Sequence, residues 1–318
     1  MFKNVCVYGG GQIGGAWAAV FAKAGCNVVV YDLNDEAIAA GKAEIEKKLS
    51  FFAAPGVDAL TQEQLKDALA RVSYTTDVKA AVENAEFIQE NGPENIKIKR
   101  SIVAAIEEFN STAIIASSTS GLLISDIAAE AKHPERIVGG HPYNPVHLIP
   151  LVELAKGEKT SDETLQKAKE FYESIGKVPV VLQKECLGFI CNRIQMALNR
   201  EAHDLVYRGV ASVEDVDKAV VFGPGLRWGL LGPHLVQEMG GGKGGIRGIQ
   251  THIGPTTEAW LEDMAKWTKS PEGYVDIAEA GVAEEMAHRQ EFEGRDHDSV
   301  EQFMGRGLVT LLKFHHKL

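Results

Sequence analysis

The N-terminal part of the chain alternates short apolar runs with segments of helical spacing. Residues 5–8 and 28–31 are apolar runs, typical of strands that are buried on both faces. Residues 16–23 between them carry apolar side chains at helical spacing. The turn GGGQIG at residues 9–14 joins the first run to this helix, and Asp32 follows the second run. The pattern predicts a strand, a glycine turn, a helix, a strand and an acid, in that order.

The same alternation continues to about residue 182, after which the pattern is almost wholly helical. We predict helices at 35–48, 62–72, 94–108, 122–131 and 160–175, and strands at 87–90, 113–116, 136–138 and 178–182. Strands that alternate with helices predict a parallel, doubly wound sheet. A long amphipathic helix over residues 190–205 opens the second part. The prediction is an α/β fold with a Rossmann domain at residues 1–184 and an all-α domain at residues 185–318.

Two glycine-rich patches interrupt the helical part, at residues 222–229 and 240–245. Both are predicted to be loops between helices. The second contains GKGG but lacks the strand–loop–helix setting of a nucleotide-binding loop. It is therefore interpreted as a mobile connection.

Composition and charge exclude several classes of protein. The 33 Lys plus Arg against 44 Asp plus Glu give a net charge of −11, which argues against nucleic-acid backbone binding. Cys6, Cys26, Cys186 and Cys191 show neither CxxC spacing nor paired histidines, so no metal site or disulfide framework is predicted. The start lacks a signal-peptide pattern, and no apolar run approaches the ~18 residues of a membrane span. We expect a soluble, cytoplasmic protein with no nucleic-acid or membrane partner.

The glycine turn carries the pattern of a dinucleotide site. Gly9 allows a tight turn, Gly11 lets the backbone approach a pyrophosphate, and Gly14 lets the helix pack close to the strand. Gln12 and Ile13 open the helix, whose N–H groups favour phosphate binding. The alternative is a plain strand–turn–helix unit, but the strand and helix on either side favour the dinucleotide.

Asp32 favours NAD over NADP. It lies 18 residues after Gly14, where a carboxylate can accept hydrogen bonds from a ribose diol. A carboxylate at this place repels a 2′-phosphate, and Leu33 and Asn34 supply no arginine to hold one. The predicted cofactor is NAD.

Residues 139–154, GGHPYNPVHLIPLVEL, place polar side chains among prolines and aliphatic residues. A polar group needs a partner once it is buried. His141 and Glu153 are the pair in this stretch that could act as a general base and its orienting carboxylate. A single buried histidine is more often structural, but the neighbouring cofactor motif and Glu153 favour a catalytic role here.

Further polar residues follow two predicted strands, where ligands bind in such sheets. They are ENGPENIKIK at residues 90–99 and SSTSG at residues 117–121. A helix N-cap is the alternative interpretation of the serine run.

Taken together, these motifs resemble the 3-hydroxyacyl-CoA dehydrogenase superfamily over nearly the whole chain. The residues that carry the resemblance are GGGQIG at 9–14, Asp32, PENIKIK at 93–99, SSTSG at 117–121, HPYNP at 141–145 with Glu153, and GFICNR at 188–193. The resemblance implies a Rossmann domain, a helical domain and NAD-dependent oxidation of a 3-hydroxyl group.

The resemblance also implies roles for single residues. His141 would take the proton from the substrate 3-hydroxyl, and Glu153 would orient the imidazole. Ser120 and Asn192 would hydrogen-bond the oxygen that becomes the ketone. A last set matches positions that line the nicotinamide end of the cofactor: Asn144, Glu94 and Lys99.

Within the superfamily, the sequences of several motifs resemble those of the branch that contains L-carnitine dehydrogenase and lambda-crystallin (L-gulonate 3-dehydrogenase). SSTSGLL at 117–123, the stretch 139–154 and GPGLRWGLLGP at 223–233 carry this likeness. Residues 49–60 lack the basic helical pair that holds CoA phosphates in the CoA enzymes. NRIQ at 192–195, however, is closer to the crystallin and CoA branches. The expected substrate is a free 3-hydroxy acid of the L-carnitine type.

In such a substrate complex, Arg227 would pair with the carboxylate and Trp228 would face the quaternary ammonium. A packing pair at a helix start is the alternative interpretation of these two residues. Three other functions stay open: a 3-hydroxybutyryl-CoA dehydrogenase, an L-gulonate 3-dehydrogenase and a non-catalytic, crystallin-like NAD-binding protein. The last is disfavoured because all four predicted catalytic residues are intact: His141, Glu153, Ser120 and Asn192.

The end of the chain predicts self-association. Val309, Leu311, Leu312 and Phe314 come late in the chain, on a helix that must bury them. With the family resemblance, they predict a homodimer through the helical domain.

Overall fold

One sheet spans the N-terminal part of the computed structural model, which describes residues 2–318. Its strands are β1 (Asn4–Tyr8), β2 (Asn27–Tyr31), β3 (Val72–Thr75), β4 (Phe87–Glu90), β5 (Ile114–Ser117), β6 (Ile137–Pro142), β7 (Leu151–Lys156) and β8 (Val178–Val181). In space they follow the order β3-β2-β1-β4-β5-β6-β7-β8. This is the doubly wound order, in which the chain runs outward from β1 in both directions.

The helices come mainly from segments of 3.6-residue spacing. Over residues 2–318 they are α1 (Gln12–Lys23), α2 (Asp35–Phe52), α3 (Gln62–Ala70), α4 (Val78–Val82), α5 (Ile96–Phe109), α6 (Ile124–Ile127), α7 (Asp162–Ser174), α8 (Cys191–Tyr207), α9 (Val213–Phe222), α10 (Pro224–Trp228), α11 (Pro233–Gly240), α12 (Gly245–Asp263), α13 (Tyr274–His288) and α14 (His297–Phe314). Side-chain caps start several of them. Thr61, for example, forms a reciprocal capping box with Gln64 at the start of α3.

The sheet is not wholly parallel, which corrects the sequence prediction. Strand β7 runs antiparallel to β6, and β8 runs parallel to β7. The connection over residues 143–150 is too short for the crossover of about a dozen residues that a parallel pair requires. The chain therefore turns back directly and places Glu153 opposite His141.

Several predicted elements differ in extent from the structure. The strand predicted at 136–138 continues to Pro142, and the helix predicted at 122–131 is confined to α6. Strands β3 and β7 and helix α4 were not predicted, because β3 is a partly exposed edge strand of mixed polarity and Glu153 interrupts the apolar pattern of β7. The first glycine patch, predicted to be a loop, contains α10.

An aromatic cluster forms the core on one face of the sheet. Trp17 and Phe21 of α1 stack at 5.2 Å between ring centroids, and Phe21 stacks on Phe171 of α7 at 5.6 Å. Phe87 of β4 lies 4.7 Å from the Phe171 ring. These side chains are almost fully buried, and each stabilises the fold by about 1.5–3 kcal/mol through the removal of apolar surface from water.

The chain divides into two compact units. The first holds the residues up to Asn192 together with Leu308–Leu318, and the second is Arg193–Gly307. The end of α14 belongs to the first unit, because Val309 and Leu312 are buried in a cluster with Val57 and Leu148. The domain assignment with its boundary between residues 184 and 185 remains a prediction.

Candidate active site

The glycine turn is shaped for a backbone that approaches a ligand closely. Gly9 has a φ of +93°, a conformation that side chains disfavour. A Cβ on Gly14 would lie 1.8 Å from the Gly9 carbonyl oxygen, so only glycine lets α1 start so close to β1. A Cβ on Gly11 would meet nothing within 4 Å, so its backbone is open to a pyrophosphate. The first N–H groups of a helix lack acceptors within it, which leaves those of Gln12 and Ile13 for phosphate.

Asp32 is held at the end of β2 by two main-chain donors. Its Oδ2 accepts from Gly10 N–H and its Oδ1 from Leu33 N–H, each at 2.8 Å. Each oxygen keeps a free lone pair for a ribose hydroxyl. Leu33 is 79% exposed, and the Asn34 side chain caps α2 by accepting from Ala37 N–H. The residues that follow Asp32 therefore offer no positive charge to a 2′-phosphate, and the turn and Asp32 together fit NAD.

His141 and Glu153 form a buried pair across the antiparallel strands. The His141 Nδ1 lies 2.8 Å from Glu153 Oε2, and the two residues are 6% and 0% exposed. An ionised carboxylate only accepts hydrogen bonds, so Nδ1 carries the proton of the neutral imidazole. Nε2 is then the basic nitrogen. The geometry gives His141 the orientation and tautomer of a general base.

The second oxygen of Glu153 is held by main-chain groups at the start of α8. Its Oε1 accepts from Ile190 N–H at 2.8 Å and from Cys191 N–H at 3.0 Å. Burial by itself raises the pKa of Glu153, but hydrogen bonds from His141 and these amides outweigh it and hold the pKa below its ordinary value. Glu153 is therefore ionised at neutral pH. Sequence reasoning missed Ile190 and Cys191, because a main-chain donor leaves no signal in residue type.

Ser120 and Asn192 lie side by side. The Asn192 side-chain amide donates to the Ser120 carbonyl oxygen at 2.8 Å, which leaves its second N–H free. Glu94 fixes the loop that carries Ser120, since its Oε1 accepts from Thr119 Oγ1, Ser120 N–H and Gly121 N–H at 2.7, 2.9 and 3.1 Å. The structure thus gives Glu94 a positioning role that the sequence did not predict. Its predicted contact with the nicotinamide end remains a prediction.

Lys99 lies beneath this loop in a buried ion pair. Its ammonium is 3.0 Å from Glu90 Oε2 and 3.0 Å from the Gly92 carbonyl oxygen, and it lies 3.9 Å from Glu94 Oε2. Lys99 and Glu90 are 1% and 0% exposed. Asn144 is exposed in the connection between β6 and β7. The predicted contacts of Lys99 and Asn144 with the cofactor remain predictions, and the Lys99–Glu90 pair has an evident structural role.

Arg227 and Trp228 belong to the second compact unit. They end the short helix α10, and both are exposed, Trp228 to 44%. This exposure argues against a packing pair as their role within the chain. Their assignment to the substrate remains a prediction.

The first unit therefore combines a turn shaped for NAD at the end of β1 with a base near the carboxyl end of β6 in the same sheet. Bound NAD supplies a hydride acceptor, and His141 can receive the proton of a hydroxyl group, which defines an NAD-dependent oxidoreductase that acts on a CH–OH group. Comparison with family models supports this class. Residues 4–186 match the NAD binding domain of 3-hydroxyacyl-CoA dehydrogenase, and residues 188–276 match its C-terminal domain. The chain belongs to the 3-hydroxyacyl-CoA dehydrogenase family.

Individual relatives differ in their substrates. An L-carnitine dehydrogenase of Bacillus cereus is 40% identical over 268 residues, which are 84% of this chain and 78% of the relative. A 3-hydroxyacyl-CoA dehydrogenase of Gibberella moniliformis is 37% identical over 268 residues, with 83% and 81% covered. In a solved structure, an NAD+ dependent dismutase described as 5-formyl-3-hydroxy-2-methylpyridine 4-carboxylic acid 5-dehydrogenase, the TM-score is 0.76 at 29% identity, with 99% and 98% covered.

These findings confirm the resemblance, the Rossmann domain followed by helices, the NAD cofactor and the enzymatic class. A non-catalytic NAD-binding protein is accordingly set aside. The chain carries out NAD-dependent oxidation of a 3-hydroxy acid. None of the helices over residues 2–318 is long and apolar enough to cross a membrane.

Proposed function

We propose that the protein oxidises L-carnitine, a free L-3-hydroxy acid, to 3-dehydrocarnitine with NAD as acceptor. The likeness to L-carnitine dehydrogenase at 40% identity over 84% of the chain is the main support for this substrate. The buried His141–Glu153 pair supports the chemistry, because a secondary alcohol loses a proton as well as a hydride.

In the proposed reaction, His141 Nε2 accepts the proton of the substrate 3-hydroxyl. The ionised Glu153 stabilises the resulting imidazolium through Nδ1, and the amides of Ile190 and Cys191 keep the carboxylate in place. The Ser120 hydroxyl and the free N–H of Asn192 donate to the substrate oxygen as it becomes a carbonyl.

Two residues of α10 are proposed to recognise the ends of the substrate. Arg227 would bind the carboxylate of the hydroxy acid through two parallel hydrogen bonds. Trp228 would face the trimethylammonium group, which attracts an aromatic face because of its diffuse positive charge. Both side chains are exposed on α10, so neither is committed to packing within the chain and both are accessible to a ligand.

A 3-hydroxyacyl-CoA is the second candidate substrate. It is favoured by the likeness to the Gibberella moniliformis enzyme, which has 37% identity over 83% of this chain. The chemistry at His141 would be the same, since the two substrates share the L-3-hydroxy group and differ only in the rest of the molecule.

Kinetics with a substrate panel separate these candidates. NADH formation is measured with L-carnitine, D-carnitine, L-gulonate and L-3-hydroxybutyryl-CoA at saturating NAD. We expect the largest kcat/KM for L-carnitine, and an Arg227→Gln substitution should raise its KM by about tenfold or more, the cost of a charge-assisted pair. Arg71→Gln, at an exposed site after α3, is the matched control. Turnover of the CoA ester alone would refute the proposal.

We also propose a homodimer formed through the second unit. Within Arg193–Gly307, only Val216 and Ala265 among the described hydrophobic side chains are buried. Many large apolar side chains there are more than half exposed, among them Phe222, Leu226, Leu235, Met239, Trp260 and Leu261. Apolar surface of this extent marks an interface. Val309 and Leu312, part of the sequence argument, are instead buried within the chain, and only Leu311 and Phe314 of that set remain exposed.

Light scattering at micromolar concentration tests the dimer. The expected mass is twice the 34.5 kDa of the chain. A Leu261→Glu substitution should shift the mass toward the single chain, because a charge in an apolar interface is costly to desolvate. A wild-type mass of one chain would contradict the proposal.

A further inference from the structure

A cavity of about 190 Å³ lies in the first compact unit. Its wall includes Lys23 at the C-terminal end of α1, Phe52 at the end of α2, and Lys177 after α7. The glycine turn for NAD precedes the other end of α1, about 17 Å away along the helix. The cavity is therefore distinct from the dinucleotide site.

Three lysines line this cavity, namely Lys23, Lys177 and Lys317, and none of its described lining side chains is acidic. Lys177 is only 6% exposed, and its ammonium donates to the carbonyl oxygens of Val146 and Ile149. In the part of the chain that the structure describes, no carboxylate forms an ion pair with any of the three. The cavity thus concentrates positive charge in a chain whose net charge is −11.

Aromatic rings also lie near two of these ammonium groups. Lys23 Nζ lies 4.8 Å from the Phe52 ring centroid, and Lys177 Nζ lies 5.1 Å from that of Trp17. Such contacts offset only part of the cost of a buried charge. Burial lowers the pKa of Lys177 to about 7, and repulsion from Lys23 adds to the decrease. Neither lysine forms an ion pair with a carboxylate side chain of the described residues.

A nearby histidine does not supply this counter-charge. His147 lines the cavity, its Nδ1 is buried without a hydrogen-bond partner, and burial lowers its pKa to about 4, so it is neutral. The carboxylate of Glu44, whose charge reaches His147, is already bonded to Lys48. A small anion would balance the positive charge of this wall and offer a hydrogen-bond acceptor to the His147 ring.

We propose that this cavity binds a compact phosphate group, either as free phosphate or as part of a small phosphorylated metabolite. Three ammonium groups favour a dianion over a single carboxylate, and lysine binds phosphate as a point charge. A cavity of roughly 150 Å³ accommodates a molecule the size of benzene, so the volume limits the ligand to a phosphate with few additional atoms.

Phosphate binding at this site would stabilise the connection between β6 and β7, which joins His141 to Glu153. The Lys177 ammonium donates hydrogen bonds to the carbonyl oxygens of Val146 and Ile149. Both residues lie in the segment 143–150 between His141 and Glu153. A bound dianion keeps Lys177 protonated and so strengthens these hydrogen bonds. The site would then stabilise the turn that joins the base to its carboxylate.

Calorimetric titration with inorganic phosphate tests the proposal. The full chain is saturated with NAD beforehand so that the pyrophosphate site is filled, and ionic strength is held constant with sodium chloride. One phosphate is expected to bind per chain with a matching rise in Tm. Lys23→Gln should weaken binding by about tenfold or more, through loss of one charge-assisted contact. Lys66→Gln, at an exposed lysine on α3, should bind like the wild type.

A second variant guards against a folding defect. Lys317→Gln lies at the exposed edge of the cavity and should also weaken phosphate binding without loss of structure. Absence of phosphate binding to the wild type would overturn the proposal, as would equal binding to the wild type and both cavity variants. Acetate that binds as tightly as phosphate, with the same dependence on Lys317, would overturn the assignment of a dianion. A phosphorylated metabolite that competes with phosphate would support the assignment and identify the source.

Discussion

Alanine in place of His141 is expected to lower kcat by about 100- to 10,000-fold, the usual contribution of a positioned general base. This loss corresponds to about 3–5 kcal/mol in the barrier. Glu153 cannot substitute for the imidazole, because its two oxygens are bound to His141 and to the amides at Ile190 and Cys191. Residual activity should rise with pH, since hydroxide then replaces the missing base.

NADH formation under saturating NAD and hydroxy acid measures the effect. The affinity for NAD, followed by titration, should be unchanged, because His141 is not part of the dinucleotide turn. His133→Gln, at a histidine whose side chain is 41% exposed, is the matched control and should keep wild-type kcat. Glu153→Gln should produce a smaller loss than His141→Ala, as the imidazole remains but its orientation and charge stabilisation are weakened. Wild-type kcat in His141→Ala would refute the proposed base.

Methionine in place of Lys99 is expected to lower the free energy of unfolding by about 3–5 kcal/mol, the cost of leaving one partner of a buried ion pair uncompensated. Glu90 is fully buried. Without Lys99, its negative charge is stabilised mainly by hydrogen bonds from the Ser117 hydroxyl and the Gly92 amide. The apolar stem of methionine fills much of the lysine volume, so the effect arises from charge rather than from a cavity.

Chemical denaturation of the wild type and the variant measures this difference. Lys97→Met changes an exposed lysine of the same helix α5 and should alter stability by less than about 0.5 kcal/mol. Adding Glu90→Gln to Lys99→Met should restore part of the stability, because the unpaired charge is then gone. Equal stability of Lys99→Met and the wild type would contradict the structural role of the pair.

The dinucleotide site could be predicted from the sequence because its signals are local. Gly9, Gly11 and Gly14 belong to one turn, and Asp32 ends the next strand, so spacing alone places them together. Apolar runs and helical periodicity likewise predicted most strands and helices. The exceptions are the strands β3 and β7 and the short helix α4. β3 is an edge strand of mixed polarity, Glu153 interrupts the apolar pattern of β7, and α4 has too few residues to show a periodic signal.

Contacts between distant main-chain groups could not be predicted in this way. Glu153 binds the amides of Ile190 and Cys191, and Glu94 binds those of Ser120 and Gly121. Any residue but proline offers such an N–H, so the side chains at these positions hold no information about the contact. The sequence also could not predict which apolar residues at the end of α14 are buried and which are exposed.

The sequence by itself determined the Rossmann unit, the helical remainder and the preference for NAD, and it predicted His141 as the base with Glu153 as its carboxylate. Only the tertiary structure decided how these groups meet. The short connection 143–150 turns β7 antiparallel to β6 and sets Glu153 opposite His141, and packing against β4 buries Lys99 against Glu90. The physical reason is range: propensity and periodicity act over a few neighbouring residues, whereas strand direction and the pairing of buried charges follow from the packing of segments far apart in the chain.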